Sequence, residues 1–329
     1  MPPKPVSNRW RGKDAIVLVH GVGNAAVGDY ADLVKQISDV LGDRADKFAI
    51  YMVYYDQVND WFQSKENAKV GFTRLVQGVR SMVANEKLKA KDPAALGNVI
   101  SEVVGDVIWP VLLADARNAV RALLVDQLIQ VVNDGDAAGV APADQRISII
   151  AHSMGCFHTY EVLHTIADDP TLGIGPASGG VTFANVVFMA SPVRLIRTVA
   201  EKIDALVPQP ETMRTLSKPL GMPMQASVTK SVPVARHTVS ISGNLDPVSG
   251  HFFRAEPEWA YTNLPGQEVF VDEQQLAMID GSDEFSLTEI LHNSLQKRSA
   301  PEIQPNNPHS WDAYVQKHAG DLRGWLVSV

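Results

Sequence analysis

One serine in this chain has neighbours that could turn its hydroxyl into a nucleophile. The stretch from Ile147 to Tyr160 opens with an apolar β run ending at Ala151, turns at Ser153, and passes at once into a helical pattern. A turn this sharp strains the serine backbone. The residues two positions to either side must then be small, because strand and helix pass close together. Gly155 meets that need, and Ala151 adds a single methyl. Straining a non-glycine residue costs roughly 1–3 kcal/mol, which favours a chemical use for Ser153 over an ordinary βα turn with an incidental serine.

A second pattern lies upstream, where an apolar run leads into His20-Gly-Val-Gly-Asn24. A sharp glycine turn there would aim a backbone N–H at the place where an acyl oxyanion develops. Such donors typically contribute about 10²–10³ in kcat. The N–H groups of Val22 and Met154 are the candidates, the second at a helix start where the dipole also favours negative charge. A His-Gly pair alone is weak evidence. Followed by the Ser153 turn in this order, it becomes strong.

Together, His20-Gly-Val-Gly23 and Ala151-His-Ser-Met-Gly155 resemble the oxyanion loop and nucleophile elbow of α/β-hydrolase lipases and esterases. Alanine at the first elbow position is similar to small bacillary lipases. With 13 residues ahead of Asp14, the resemblance implies that the first two strands of the full eight-stranded sheet are missing. It also implies the chain order Ser, then Asp or Glu, then His, because a serine hydroxyl needs a base and the base needs an orienting acid. Ser242–Val248 resembles the family's acid loop, making Asp246 the orienting acid; Asn244 and Glu256 are weaker rivals, and an Asp-Pro turn former is the bland alternative.

For the base, His251 follows Asp246 too closely for a strand to intervene, and His318 falls inside the last helical pattern. His309, in the loop Pro305–Tyr314 before a C-terminal helix, matches the family's histidine loop in kind; His292 is the alternative. The 63 residues from 246 to 309 require an insertion around 272–298. Other chemistry-bearing residues read more blandly. His152, His158 and His164 recur every six residues and so do not share a helical face, which argues against a metal site. His20 reads as a brace for the oxyanion loop and Cys156 as small core. Gly21 and Gly23 belong to no Gly-x-Gly-x-x-Gly or Gly-Lys-Ser/Thr pattern, so no nucleotide loop is expected.

These residues need a sheet to hold them. Short apolar runs at Ala15–Val19, Phe48–Tyr54, Ile147–Ala151, Asn185–Met189 and His237–Ile241, with a weaker one at Glu268–Val271, read as strands buried on both faces. Helical patterns at Tyr30–Leu41, within Asn67–Val132 and at Met154–Ala167 separate most of them. The expected fold is therefore α/β: a doubly wound, mainly parallel sheet of about six strands over a single domain, 1–329. The intervals 59–145 and 191–236 exceed simple crossovers and read as helical or irregular insertions, lid or cap candidates. An apolar stripe from Val99 to Leu112, interrupted by Pro110, is either a sheet-covering helix or a lid that opens onto lipid.

Composition narrows the classes further. Lys and Arg total 29 against 37 Asp and Glu, a net charge of −8, so no general basic surface is available for nucleic acid. The single cysteine excludes an intrachain disulfide. Met1–Asp14 has no apolar run of a signal peptide, and no stretch of about 18 apolar residues occurs, so a cytoplasmic location is expected. The expected function is a serine esterase or lipase needing no cofactor, acting on a small ester or lipid with transient contact to a lipid surface. A non-catalytic binding or membrane-associated module and an acyltransferase using the same triad are the alternatives.

Overall fold

Uninterrupted β-branched and apolar runs form strands here because a sheet covered on both faces hides every side chain. A computed structural model of the chain describes residues 6–7, 10–21, 27–55, 58, 114–193, 196, 234–241, 271–274 and 311–327. Its strands are β1 (Val6–Ser7), β2 (Asp14–Val19), β3 (Phe48–Val53), β4 (Arg146–His152), β5 (Phe183–Met189), β6 (Ala235–Ile241) and β7 (Val271–Gln274). Its α-helices are α1 (Val27–Leu41), α2 (Ala114–Ala137), α3 (Met154–Asp168), α4 (Trp311–Lys317) and α5 (Ala319–Val327). The protein is thus of the α/β class.

The seven strands form one sheet in the order β1-β3-β2-β4-β5-β6-β7, parallel throughout except for β1 on β3. Five expected strands appear with their ends within two residues. The sixth shares only Val271 with its expected span. The implied loss of two leading strands needs correction: Val6–Ser7 pairs antiparallel with Tyr51 and Met52, one short strand ahead of β2. Two residues are too few for periodicity to reveal. The Val99–Leu112 stripe lies outside the described residues.

Alternation along each strand divides the core into two layers. Val17, Val19, Tyr51, Val53, Ile147, Ile149 and Phe188 face α2 and α3. Ile16, Leu18, Ile50, Met52, Ile150, Val187 and Met189 face α1, α4 and α5. Asn185, on that second face, donates to Ser148 Oγ and to the Trp325 carbonyl, each at 3.0 Å, and so fastens α5 to the sheet. From β2 the chain runs through α1 to β3 on one side; from β4 it runs through α3 to β5 on the other. The carboxyl ends of β2 and β4 therefore open to opposite faces. In open α/β sheets such a reversal makes the crevice where ligands bind.

Helix α2 buries Ala116, Val120, Leu124, Leu128, Val131 and Val132 on one stripe against the sheet. It stops at Gly139, whose φ of +87° suits a residue without Cβ, while Val140 N–H donates to the Gly135 carbonyl at 3.0 Å. The same helix buries Arg117, which lies 3.6 Å from Glu161 of α3; both side chains are at most 2 % exposed. Arg121, a quarter exposed, approaches the same carboxylate at 3.8 Å. No helix among the described residues is long and apolar enough to cross a membrane. Glu161→Gln removes the charge opposite buried Arg117 and should cost about 3–5 kcal/mol in urea unfolding, whereas Arg117→Met/Glu161→Leu should recover most of that loss.

Candidate active site

At the end of β4 the chain must change direction within one residue to enter α3. Ser153 makes that change with φ 53° and ψ −129°, near the first central position of a type II′ turn, where glycine is at home. Both flanks hold it there. Its N–H donates to the Met189 carbonyl of β5 at 2.9 Å, and its own carbonyl accepts from Cys156 N–H at 2.9 Å. At the end of the adjacent strand, Ala190 also has positive φ, 54°, and its N–H donates to the Ile241 carbonyl at 3.0 Å.

Two glycines let the exit of β2 close on this turn. A methyl built on Gly155 would lie 2.3 Å from the His20 carbonyl oxygen and 2.6 Å from that of Val19. One built on Gly21 would meet Ser153 Cβ at 2.6 Å and Oγ at 3.0 Å. Gly21 is therefore required less for turning than for letting the backbone come against the serine side chain; its φ is not positive, unlike those of Gly42, Gly139, Gly173 and Gly179. Ser153 is buried, and Met154 opens α3, where first-turn N–H groups have no partner within the helix and the dipole favours negative charge. Val22, Asp246, His309, His292, Asn244 and Glu256 lie outside the described residues.

The surroundings of the turn are aromatic and imidazole-rich. The His152 ring meets Trp311 and Tyr314 of α4 edge-on, at centroid distances of 5.9 and 6.1 Å. Behind His20 stands Tyr55, just past β3: the rings stack at 4.7 Å with 6° between planes, and the Tyr55 hydroxyl donates to the His20 carbonyl at 2.6 Å. His20 Nδ1 itself donates to the Gly21 carbonyl. The Tyr55 and His158 rings meet edge-on at 4.9 Å. Nothing in the sequence marked Tyr55 beyond its place at the end of an apolar run. The Cys156 thiol contacts the Ala151 and Met189 carbonyls, each at 3.3 Å, beneath the turn.

Burial lowers the His20 pKa to about 4, partly opposed by its bond to Gly21, and His158 to about 3, helped by the charges of His20 and Arg117. Both rings are neutral at neutral pH; His20 packs and hydrogen-bonds through Nδ1, whereas His158 acts through its ring contacts with Tyr55 and Phe157. Among the described residues, no group of three or more His, Cys, Asp or Glu could hold a metal ion.

No family model matches this chain, and no curated protein is similar to it in sequence. Among solved structures, it is similar to the crystal structure of esterase PE8 over 76 % of this chain and 80 % of that one, at 11 % identity and a TM-score of 0.31. It is also similar to the crystal structure of an uncharacterized protein from Pseudomonas aeruginosa over 71 % of this chain and 35 % of that one, at 14 % identity and a TM-score of 0.30. Likeness at this level bears on neither activity nor substrate.

Two outcomes follow from the geometry. Alanine keeps the Cβ that makes φ 53° costly and glycine does not, so Ser153→Gly should be about 1 kcal/mol more stable than Ser153→Ala in thermal melts. Equal melting would mean that the turn carries no strain. In acid, unfolded histidine protonates near pH 6.5, before His20 at about 4 and His158 at about 3 do so in the fold. Their contribution is complete above pH 6.5 and declines as pH falls towards 3. His158→Phe should flatten that acid limb, as followed by circular dichroism at stepped pH.

Proposed function

We propose that this chain is a serine hydrolase of the α/β-hydrolase type, cleaving carboxylic esters through an acyl-enzyme on Ser153. The observation that carries this reading is the strained backbone of Ser153 between β4 and α3, facing Gly21 across the reversal point of the sheet. Structural needs alone seldom justify a non-glycine residue in that conformation, and a nucleophile is the group that such a turn presents best.

In the proposed reaction Ser153 Oγ attacks the ester carbonyl carbon while His309 takes the hydroxyl proton. The carbonyl electron pair moves onto oxygen, where the N–H groups of Val22 and Met154 stabilise it. Collapse of the adduct expels the alkoxide, which leaves as an alcohol with the proton from His309, and Asp246 keeps the imidazole in the required tautomer. Water then repeats the sequence on the acyl-enzyme and releases the acid. Chain length supports His309 over His292. It stands in sequence two residues before Trp311, whose ring meets that of His152, the neighbour of Ser153. The class of ester rests on analogy with the fold's commonest chemistry.

A fluorophosphonate should modify Ser153 and no other serine, as mapped by peptide mass spectrometry. Ser153→Ala should abolish labelling and lower kcat on a short soluble ester by roughly 10⁴–10⁶. His309→Ala should lose nearly as much, with little further loss in the double variant, while His292→Ala keeps most activity. Labelling that persists in the alanine variant removes Ser153 from the mechanism. Transfer of the acyl group to added alcohol in preference to water would instead make the protein an acyltransferase.

A further inference from the structure

The oxyanion donor placed at Val22 can serve the reaction only if the backbone leaving β2 is held in one orientation. Most of β2 is fixed by its ladders: Val19, its last residue, pairs with Val53 on one side and Ala151 on the other. His20 and Gly21 lie beyond those ladders and carry the chain over the serine. Their backbone geometry decides where the next N–H points.

Three contacts converge on that dipeptide. Gly155 leaves no room behind the His20 carbonyl, since even a methyl would reach it at 2.3 Å. The Tyr55 hydroxyl donates to the same carbonyl oxygen at 2.6 Å, and the Tyr55 ring lies flat on the His20 ring. His20 in turn donates through Nδ1 to the Gly21 carbonyl, across the peptide that carries the Val22 nitrogen. Tyr55 is fully buried and its ring also meets that of His158 of α3 edge-on at 4.9 Å, so its hydroxyl is held in packed surroundings. The chain Tyr55–His20–Gly21 thus links the end of β3 to the Gly21 carbonyl, whose carbon is bonded to the nitrogen proposed as oxyanion donor.

We infer that Tyr55 is a positioning residue for the oxyanion loop: its hydroxyl fixes the His20 carbonyl, and the stacked imidazole passes that orientation to the Gly21–Val22 peptide. The role rests on the hydrolase reading given above. It concerns the transition state alone, because the oxyanion exists only after Ser153 attacks, and an interaction made only there is expressed in kcat rather than KM.

Tyr55→Phe keeps ring, stack and volume and removes only the hydroxyl. Active sites are counted by exhaustive fluorophosphonate labelling, so that any unfolded fraction cancels. Per labelled serine, kcat on a short soluble ester should fall about 10- to 100-fold, the scale of a slight misplacement of catalytic groups, with KM changed less than about twofold. The inhibition constant of a trifluoromethyl ketone, which needs the oxyanion site, should rise by the factor that kcat/KM falls. Tyr51→Phe is the control: it removes a hydroxyl of β3 that donates to Asp134 at 3.2 Å, and should lower stability while leaving kcat within about twofold. If wild-type Ser153 takes the label but Tyr55→Phe keeps full kcat per labelled serine, or loses kcat no more than Tyr51→Phe, Tyr55 is merely structural and the inference is overturned. If wild-type Ser153 takes no label and the protein turns over no ester, the hydrolase reading falls and the positioning role falls with it.

Discussion

The contact on which the rest depends is that of Gly155 with the carbonyls of Val19 and His20. It is backbone against backbone, with no tolerance for a methyl at 2.3 Å. Because it is that close, the first turn of α3 is clamped to the exit of β2, and the serine before it is held between two strands. Neither the conformation of Ser153 nor the approach of Gly21 could persist if α3 were free to tilt. The strain at Ser153 is kept in place by the hydrogen bond it donates to Met189 of β5 and by this clamp, which is how a locally unfavourable conformation survives in a folded chain.

The clamp requires α3 to be immobile along its length, and the interior of the protein provides for that. Helix α3 buries residues on nearly every side, including His158, Glu161 and His164, so it is no ordinary amphipathic surface helix. Polar groups inside a core must find partners or stay neutral. Glu161 lies close to two arginines from α2, and His158 stays neutral among Tyr55, Phe157 and α3 itself. A buried ion pair adds little net stability, because desolvation offsets its attraction. It does penalise any register of α2 on α3 that separates the charges.

What the sequence reveals and what it hides divide along the range of the interaction. The parallel strands β2 to β6 were legible because burial on both faces makes them continuous apolar runs. The turn at Ser153 was legible because its steric demands fall on residues two places away. By contrast, β1 is two residues long and exists only through pairing with β3, and β7 is displaced from its apolar run because its pairing with β6 sets its limits. Tyr55 gave no signal, since its partners lie 35 and about 100 residues away in sequence and nothing local distinguishes it from Tyr54. Gly21 was read as a turn former, whereas its smallness answers to Ser153, a neighbour across the sheet and not along the chain.

The lone thiol has a use that its chemistry alone would not suggest. Cys156 sits under the Ser153 turn with its sulfur against the Ala151 and Met189 carbonyls, fully enclosed, and no other cysteine competes with it. A thiol-specific alkylating reagent therefore meets it only when the N-terminal turn of α3 parts from β4 and β5. The alkylation rate, relative to that of an unstructured thiol, measures how often the turn opens. The protein thus carries an internal clock for breathing at this one place, readable by mass spectrometry without added dye or substitution.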